Sequence, residues 1–441
     1  MSAQAAAAVE NVDAAAPPRR FELTGAWLLS GAMLAAGLLA YAFHILAART
    51  LTQDEYGQIA VLWAALFLTV VVLFRPLEQT TARAVADRLA RGQEARSVLR
   101  SVAVVYGCVL GLVAVAALAA WGALTDRFFD GNDFMTAMLL VGIAGYGFQY
   151  IGRGILGGLR RFHGLSAIHV TDGSIRFLVA LPLLAVASPE IAAAALAAAG
   201  LGGAIPPLWR CRAEVRRLGE GSADEHFHMR AALAFAAPAV VIAAADQLLV
   251  NGAPLVVVGG GGAKDAAAIV FAATMLVRVP VFLFTGVAGS FLPNLTRLNA
   301  EDDHHRFVAT VMRVCLVFLG VTVAIVAVAA LAGPTVMPIV FGSKYTAPAS
   351  DLALLGLAAG CYLAAATISQ ALLAVDRASS GAVAWAAGAA LFVFVYAIAS
   401  GGALHEASLG IASGMVMATL LLALIFAWRV RVNRRERASG V

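Results

Sequence analysis

The chain has 441 residues, of which 61% are hydrophobic and only 13% are charged, and its mean hydropathy is +0.86. Soluble globular proteins are about half apolar and a quarter charged, so a water-soluble fold of this length is excluded and lipid is the expected solvent. The net charge of +5 comes from arginines in short stretches between apolar runs. That placement is typical of membrane topology and excludes a nucleic-acid-binding patch.

The amino terminus combines a polar tail with a first apolar run. Residues 1–22 are alanine-rich and contain Pro-Pro-Arg-Arg, which is typical of a disordered cytosolic tail. The run from Leu23 to Ala48 is too long for the core of a signal peptide and has no clear cleavage site, so it predicts an uncleaved span. A bilayer core of about 30 Å requires about 20 apolar residues in a helix. This window predicts twelve transmembrane spans, at 24–48, 58–80, 100–125, 135–157, 168–187, 190–209, 231–257, 266–290, 307–332, 349–373, 381–402 and 407–428.

The spans divide into two lobes of equal number. An N-lobe at 23–209 contains spans 1–6, and a C-lobe at 231–428 contains spans 7–12. A cytosolic loop at 210–230 joins the lobes, and a basic cytosolic tail follows at 429–441. The fold class predicted from this organisation is an all-α polytopic membrane protein.

Basic residues are distributed unequally between alternate loops. Most arginines lie in the loops on the side of the two termini, and the loops on the opposite side contain only Arg49, Arg127, Lys264 and Lys344. By the positive-inside rule this asymmetry predicts that both termini are cytosolic. The expected location is the cytoplasmic (inner) membrane, and the short outer loops leave no room for an extracytoplasmic domain.

The two lobes contain similar stretches at corresponding positions. The segment "VGIAGYGFQYIGRGILGG" begins at Val141, and "LGLAAGCYLAAATISQALLA" begins at Leu355. Matching residues in these segments are 214 to 216 positions apart. Upstream, "FFDGNDF" at 128–134 and "FGSKY" at 341–345 occupy the same outer-loop position. Transporters commonly contain such repeats, so we predict that a six-span unit has been duplicated.

Three stretches resemble a known transporter family. They are "LTQDEYGQIAVLWAALFLTVVVLFRPLEQTTARAVADRL", "GGLRRFHGLSAIHVTDGSIRFLVALPLL" and "VFGSKYTAPASDLALLGLAAGCYL". The chain resembles the polysaccharide-transporter branch of the multidrug/oligosaccharidyl-lipid/polysaccharide (MOP) exporter superfamily, the Wzx-type O-antigen flippases. The family's x-Tyr-Gly-x segment before span 2 corresponds to Tyr56-Gly57, and its outer-loop Phe-Gly-x-x-Tyr corresponds to 341–345.

The resemblance implies a V-shaped, MATE-like bundle of six plus six helices around a central cavity. Such proteins move polyprenyl-pyrophosphate-linked oligosaccharides across the membrane by alternating access, for O-antigen and other surface polysaccharide or lipopolysaccharide biosynthesis. The expected partners are a lipid-linked oligosaccharide substrate, membrane lipids, and a polymerase or glycosyltransferase. Coupling to H⁺ or Na⁺ is a further expectation, and no nucleic acid or cofactor is expected.

Ionisable residues inside the predicted spans are the candidate functional residues, since such groups are costly in a membrane. Arg278 is the strongest candidate because it lies near the midplane of span 8, with no acid within four positions on its helix. A guanidinium offers paired donors to a pyrophosphate. The alternative is a structural pair with an acid such as Asp246, which lies in a polar patch of span 7 and is also a candidate for binding a coupling ion.

The remaining candidates lie in the N-lobe. Arg75 and Glu78 are three positions apart near the cytosolic end of span 2 and can form a local ion pair. Arg75 is either a cavity-lining residue that binds substrate at the cytosolic mouth or an interfacial anchor. Asp172 and Arg176 are an i, i+4 pair in span 5, for which a structural role is favoured and substrate binding by Arg176 is the alternative.

Two other function classes compete with the flippase. A drug or cation antiporter of the same superfamily relies on embedded carboxylates, whereas this chain places arginines at comparable depth. A membrane enzyme is disfavoured because the chain contains no Asp-x-Asp, Ser/His/Asp set or glycine-rich phosphate loop. The four cysteines are widely spaced, and both histidine clusters lie in charged loops, so no metal site is predicted.

Overall fold

The computed structural model describes residues 20–219, 237–288, 304–374 and 378–438, which are almost entirely helical. The helices are Arg20–Thr50, Gln53–Ala90, Arg96–Ala119, Trp121–Phe129, Asp133–Gly158, Phe162–Ala180, Leu181–Leu184 (3₁₀), Pro189–Gly202, Ile205–Arg210, Arg212–Arg217, Ala237–Asn251, Ala253–Gly259, Lys264–Ala288, His304–Leu331, Gly333–Phe341, Ala349–Ala374, Ala378–Ile398 and Ala403–Ala438.

Each predicted span coincides with one or two of these helices. Among the described residues, ten helices are long and apolar enough to cross a membrane, and the bent pair Ala237–Asn251 and Ala253–Gly259 is an eleventh. Predicted span 8 corresponds to helix Lys264–Ala288. Span 3 is divided at Ala120 and continues to Phe129, beyond its predicted end. The all-α polytopic fold class is therefore confirmed.

Parts of the predicted domain boundaries fall outside the described residues. This applies to residues 1–19 of the predicted tail, 220–230 of the inter-lobe loop, 231–236 of span 7 and 289–290 of span 8. Where the structure does describe the boundaries, helix extends further than predicted. The first helix begins at Arg20, inside the predicted tail, and the last continues through the predicted basic tail as far as Ala438.

The long helix of span 2 owes its start to a local sequence signal. The Thr52 hydroxyl accepts a hydrogen bond from the Glu55 amide at 3.3 Å, and the Glu55 carboxylate accepts one from the Thr52 amide at 2.8 Å. This capping box satisfies two amides that have no partner within the helix. The helix then runs past Pro76 to Ala90, so the proline does not end it.

Several helix contacts recur in the two lobes. Span 1 packs on span 5, and span 4 packs on spans 2 and 6, in the N-lobe. The equivalent contacts, span 7 on span 11 and span 10 on spans 8 and 12, are present in the C-lobe. Between lobes, span 2 packs on spans 7 and 8, and span 1 packs on span 8. The repeated pattern supports the predicted duplication and places spans 1, 2, 7 and 8 around the centre of the molecule.

Candidate functional site

A cavity of about 260 Å³ lies between the lobes. Spans 1 and 2 contribute one wall, which is aromatic and contains Tyr41, Trp63 and Phe67. Spans 7, 8, 10 and 12 contribute the other, on which Asn251 and Arg278 carry the strongest polar groups. The sequence prediction that Arg278 faces a cavity is consistent with this placement.

The polar wall is built on a break in span 7. Helices Ala237–Asn251 and Ala253–Gly259 meet at an angle of 76°, with Gly252 between them and Pro254 in the first turn of the second helix. Non-helical backbone is tolerated at membrane depth only where it is buried in protein or lines a cavity. Asn251 is the last residue before the break, so its side chain reaches the cavity.

A chain of amide hydrogen bonds connects Asp246 to Arg278, and we call these four residues the central cluster. Gln247 Nε2 donates to Asp246 Oδ2 at 3.0 Å, Asn251 Nδ2 donates to Gln247 Oε1 at 2.8 Å, and Arg278 Nη1 donates to Asn251 Oδ1 at 3.1 Å. These bonds fix the orientation of the Gln247 and Asn251 side-chain amides, because each amide donates from its nitrogen to one neighbour and accepts at its oxygen from the next. The guanidinium is held by a neutral amide, and it forms no ion pair with the Asp246 carboxylate.

Other charges act on the central cluster from a distance. Asp246 interacts electrostatically with Arg75 of the opposite lobe and with Arg278, and the Tyr362 hydroxyl lies beside its carboxylate. Tyr41 interacts with Arg278 and donates a hydrogen bond of 2.8 Å to the Met275 carbonyl. Two arginines therefore face one carboxylate at the centre of the molecule.

A second cluster lies inside the N-lobe, and we call its four residues the N-lobe cluster. Arg176 Nη2 donates to Asp172 Oδ2 at 2.5 Å and to the Tyr146 hydroxyl at 2.8 Å, and that hydroxyl donates to Asp172 Oδ1 at 2.8 Å. Gln149 adds a 3.4 Å contact to the same carboxylate oxygen. The predicted i, i+4 pair is present, and span 4 supplies the groups that complete it.

The N-lobe cluster is separated from the cavity by aromatic rings. The Arg176 guanidinium lies 5.1 Å from the centroid of the Trp63 ring, and the Tyr146 ring lies 5.1 Å from that of Phe67. Trp63 and Phe67 both belong to the aromatic wall of the cavity. Arg176 is only 3% exposed, and its charge is paired with Asp172 behind this wall.

Arg75 and Glu78 do not form the local ion pair that the sequence left open as one alternative. Glu78 instead faces Arg153 of span 4, with 3.8 Å between carboxylate and guanidinium, and Arg153 also lies 3.7 Å above the Tyr150 ring. Packing explains the difference, because spans 2 and 4 are in close contact and present Arg153 to Glu78. Arg75 is exposed and is oriented toward the C-lobe.

Sequence reasoning missed several residues of these clusters. Arg153 lies inside predicted span 4, so the rule that selected Arg278 would also have selected it. Tyr41, Tyr146 and Tyr362 carried no comparable signal, because a tyrosine in an apolar helix is ordinary. Their roles depend on neighbours that are distant in sequence.

Solved structures with a similar fold include multidrug transporters. One, described as the inward-facing conformation of a multidrug resistance MATE family transporter of the MOP superfamily, has a TM-score of 0.75 and 14% identity, over 91% of this chain and 96% of the other. The structure described as the outward-facing conformation of a multidrug resistance MATE family transporter has a TM-score of 0.67 and 14% identity, over 92% of this chain and 96% of the other. The structure of MATE in the bent conformation has a TM-score of 0.65 and 15% identity, over 94% of this chain and 99% of the other. No protein-family model matches the chain, and no curated protein matches it either.

These similarities confirm one part of the sequence resemblance. The chain has the MATE-type fold that the predicted V-shaped, six-plus-six bundle requires. At 14 to 15% identity the likeness concerns the fold alone. The finer assignment to the Wzx-type flippases stays a prediction.

Proposed function

We propose that this protein is a flippase that moves a polyprenyl-pyrophosphate-linked oligosaccharide across the cytoplasmic membrane by alternating access. The observation that carries the proposal is Arg278. Its guanidinium lines the cavity and is bound to the neutral Asn251 amide, so its charge is available to an anionic ligand. A guanidinium with free donors binds phosphate oxygens in a paired geometry.

The surroundings of Arg278 fit a pyrophosphate head group. Arg75 brings a second positive charge from the opposite lobe, and both arginines act on Asp246. A cavity of about 260 Å³ lies just below the usual size of drug-binding pockets, about 300–1,000 Å³. In this conformation it would hold the charged head group, while the sugars and the lipid extend beyond it.

Alternating access is supported by the fold. Proteins of this fold have been solved in inward-facing and outward-facing conformations, and the chain is more similar to the inward-facing one, with TM-scores of 0.75 and 0.67. Asp246, which interacts electrostatically with Arg75 of the opposite lobe and with Arg278, is the candidate site for a coupling H⁺ or Na⁺. We also propose that a polymerase or glycosyltransferase acts with the protein in surface polysaccharide biosynthesis.

Transport by purified protein in liposomes tests the substrate class. The protein should translocate a polyprenyl-pyrophosphate sugar and should not translocate the same sugar on an uncharged polyprenol, because only the first engages Arg278. Cells that lack the protein should accumulate the charged lipid on the inner leaflet. Equal transport of both lipids would contradict the role given to the arginines.

A drug or cation antiporter is the second candidate function, favoured by a different observation. The cavity wall of Tyr41, Trp63 and Phe67 offers aromatic faces to an organic cation, and Asp246 offers a carboxylate. The solved proteins of similar fold include multidrug transporters. A clean deletion that leaves surface glycan unchanged but raises sensitivity to cationic dyes would favour this function over the flippase.

The predicted orientation has its own test. A reporter that is active only outside the cytosol should be active when fused after Ala263 and silent when fused after Gly221. The reverse result would place both termini outside and would invert the direction of transport proposed above.

A further inference from the structure

The four basic residues of the predicted outer loops all contact the opposite lobe. Arg49 of the N-lobe donates hydrogen bonds to the carbonyls of Ile339 and Val340 in the C-lobe, the latter at 2.9 Å. Lys344 of the C-lobe donates in the opposite direction, to the Leu51 carbonyl. The loop after span 1 and the loop before span 10 are thus joined twice.

A second pair of loops is joined in the same manner. Arg127 of the N-lobe donates to the Gly259 carbonyl of the C-lobe, and Lys264 of the C-lobe forms an ion pair with Asp130 of the N-lobe. Gln58 holds the other Asp130 oxygen at 3.0 Å. The loop between spans 3 and 4 is therefore joined to the loop between spans 7 and 8.

The arrangement follows the internal repeat. Arg49 and Lys264 are 215 positions apart, and Arg127 and Lys344 are 217 apart, close to the offsets of the repeated helical segments. Each lobe contributes one cation from the loop after its first span and one from the loop after its third. The four contacts are two copies of one arrangement, related as the lobes are.

Three of the four cations use backbone carbonyls at the ends of helices. Leu51 follows helix Arg20–Thr50, Val340 lies in the last turn of Gly333–Phe341, and Gly259 ends Ala253–Gly259. The last carbonyls of a helix have no partner within it, and a cation there also interacts favourably with the helix dipole. When such a hydrogen bond between a cation and a carbonyl breaks, water replaces the cation and no buried carboxylate is left unpaired. Contacts of this kind therefore suit an interface that opens repeatedly.

Buried aromatic rings lie between these loops and the cavity. The Tyr56 and Tyr345 rings, one from each lobe, are 5.8 Å apart, and His44 packs on Phe271 across the lobes at 4.9 Å. His44 also contacts Trp63, the first cavity-lining ring of span 2, at 4.5 Å. The cavity is therefore closed at this end by a layer of rings and, beyond it, by the four cations.

The side chain of Lys344 is partly withdrawn from water in this closed arrangement. Burial lowers the pKa of its ammonium group below the ordinary value, an effect that Glu55 opposes. Gln53 Nε2 also donates to the Lys344 carbonyl at 2.8 Å, so both the side chain and the backbone of this residue hold the opposite lobe.

We infer that Arg49, Arg127, Lys264 and Lys344 form an outer latch, which holds the lobes together at the end opposite the termini and releases when the cavity opens there. The inference rests on the alternating-access part of the proposed function and is independent of the substrate. The latch sets the equilibrium between the state closed at this end and the state open at it.

Gly57 provides an independent way to open the same end. A Cβ added at Gly57 would lie 2.0 Å from the backbone oxygen of Lys264, so spans 2 and 8 would have to separate. Gly122, in helix Trp121–Phe129, lies toward the same end, and a Cβ added there would meet nothing within 4 Å. Gly57→Ala, which forces the helices apart, and Gly122→Ala, which does not, are therefore a matched variant and control.

The test measures access to the cavity from the outer side. Val250→Cys, which lines the cavity, is introduced with the four native cysteines changed to serine, and an impermeant maleimide is added to right-side-out vesicles. Arg49→Gln, Arg127→Gln, Lys264→Met and Lys344→Met are combined in one variant, and each lobe-to-lobe pair is also tested alone. Arg91→Gln is the charge control, because Arg91 forms an exposed pair with Asp87 within one helix.

The combined variant should label at least about tenfold faster than the parent, since a single hydrogen bond to a charged group accounts for about that factor. Gly57→Ala should also label faster, and Arg91→Gln and Gly122→Ala should label at the parental rate. The two pairs should have similar effects because the repeat relates them. Unchanged labelling in the combined variant and in Gly57→Ala would overturn the latch, whatever substrate the parent protein transports.

Discussion

The N-lobe cluster and the central cluster contain similar residues but differ in the groups that bind their arginine. In the N-lobe, Arg176 has a carboxylate at 2.5 Å and a tyrosine hydroxyl at 2.8 Å, behind an aromatic wall. In the C-lobe, Arg278 has one hydrogen bond, to an amide, and faces the cavity. An arginine whose charge is neutralised inside one lobe stabilises that lobe, whereas one held by a neutral group can bind an anion. Depth in the membrane alone does not distinguish the two roles.

Arg278→Ala is the variant in which the largest loss of transport is expected. If the guanidinium binds phosphate through paired donors, each worth about 1.5–3 kcal/mol, transport should fall by about a hundredfold or more. Membrane abundance should hold, because no carboxylate loses its partner. Arg278→Lys should also transport poorly, since it keeps the charge but loses the paired geometry. The measurements are liposome transport and membrane abundance.

A structural role for Arg278 would give a different pattern. Abundance of Arg278→Ala would fall, and the double variant with Asp246→Ala would restore it. That result would make the C-lobe arginine equivalent to the N-lobe one and would remove the distinction drawn above.

Arg176→Ala should mainly affect abundance. Removing one partner of a buried pair costs about 3–5 kcal/mol, because Asp172 keeps its charge with only Tyr146 and Gln149 as partners. The double variant Arg176→Ala with Asp172→Asn should recover much of the lost abundance. The Arg176→Ala protein that does reach the membrane should transport at a rate near that of the parent. Normal abundance combined with lost transport would instead assign Arg176 to substrate binding.

Asn251→Asp converts the central cluster into a copy of the N-lobe arrangement. The new carboxylate would lie about 3 Å from the guanidinium, as the amide oxygen does at 3.1 Å, and would compete with the anionic substrate. A charged hydrogen bond of about 1.5–3 kcal/mol should raise KM by about tenfold or more, with abundance unchanged. Asn251→Ala should raise it less, since it removes the orienting amide and adds no charge. An unchanged KM in Asn251→Asp would show that substrate does not reach Arg278.

The sequence was sufficient for the spans and for the placement of Arg278 at a cavity, and insufficient for the partners of the charged residues. Span positions follow from apolar length, a local property, so each predicted span coincides with a described helix, apart from the ends of spans 7 and 8 that lie outside the described residues. The Asp172–Arg176 pair was also predictable, because both residues lie on one helical face. The same rule offered Arg75 as a possible partner of Glu78, which pairs with Arg153 instead. Contacts between helices depend on packing, which spacing along one helix does not determine.

The outer loops illustrate the same limit. Their four basic residues were identified by the sequence only as a small minority that fixed the orientation. Their contacts join the loops of one lobe to those of the other, at separations of 132 to 293 positions for the hydrogen bonds that define the latch. Only the internal repeat gave an advance signal, because it relates Arg49 to Lys264 and Arg127 to Lys344.

Glu78→Gln should have the smallest effect on abundance and transport. It tests whether the Glu78–Arg153 pair matters as much as the Asp172–Arg176 pair of the N-lobe cluster. The Glu78 and Arg153 groups are 3.8 Å apart and their side chains are 26% and 14% exposed, so the pair is looser and wetter than the one at Arg176. A pair with this access to water contributes less than a fully buried one, and Arg153 retains its contact with the Tyr150 ring at 3.7 Å when the carboxylate is lost. Abundance and transport should therefore change by less than about fivefold, measured beside Arg176→Ala in the same membranes. A loss of abundance as large as that of Arg176→Ala would mean that the burial of Arg153 depends on Glu78. The distinction between the buried Asp172–Arg176 pair and the more exposed Glu78–Arg153 pair would then be wrong.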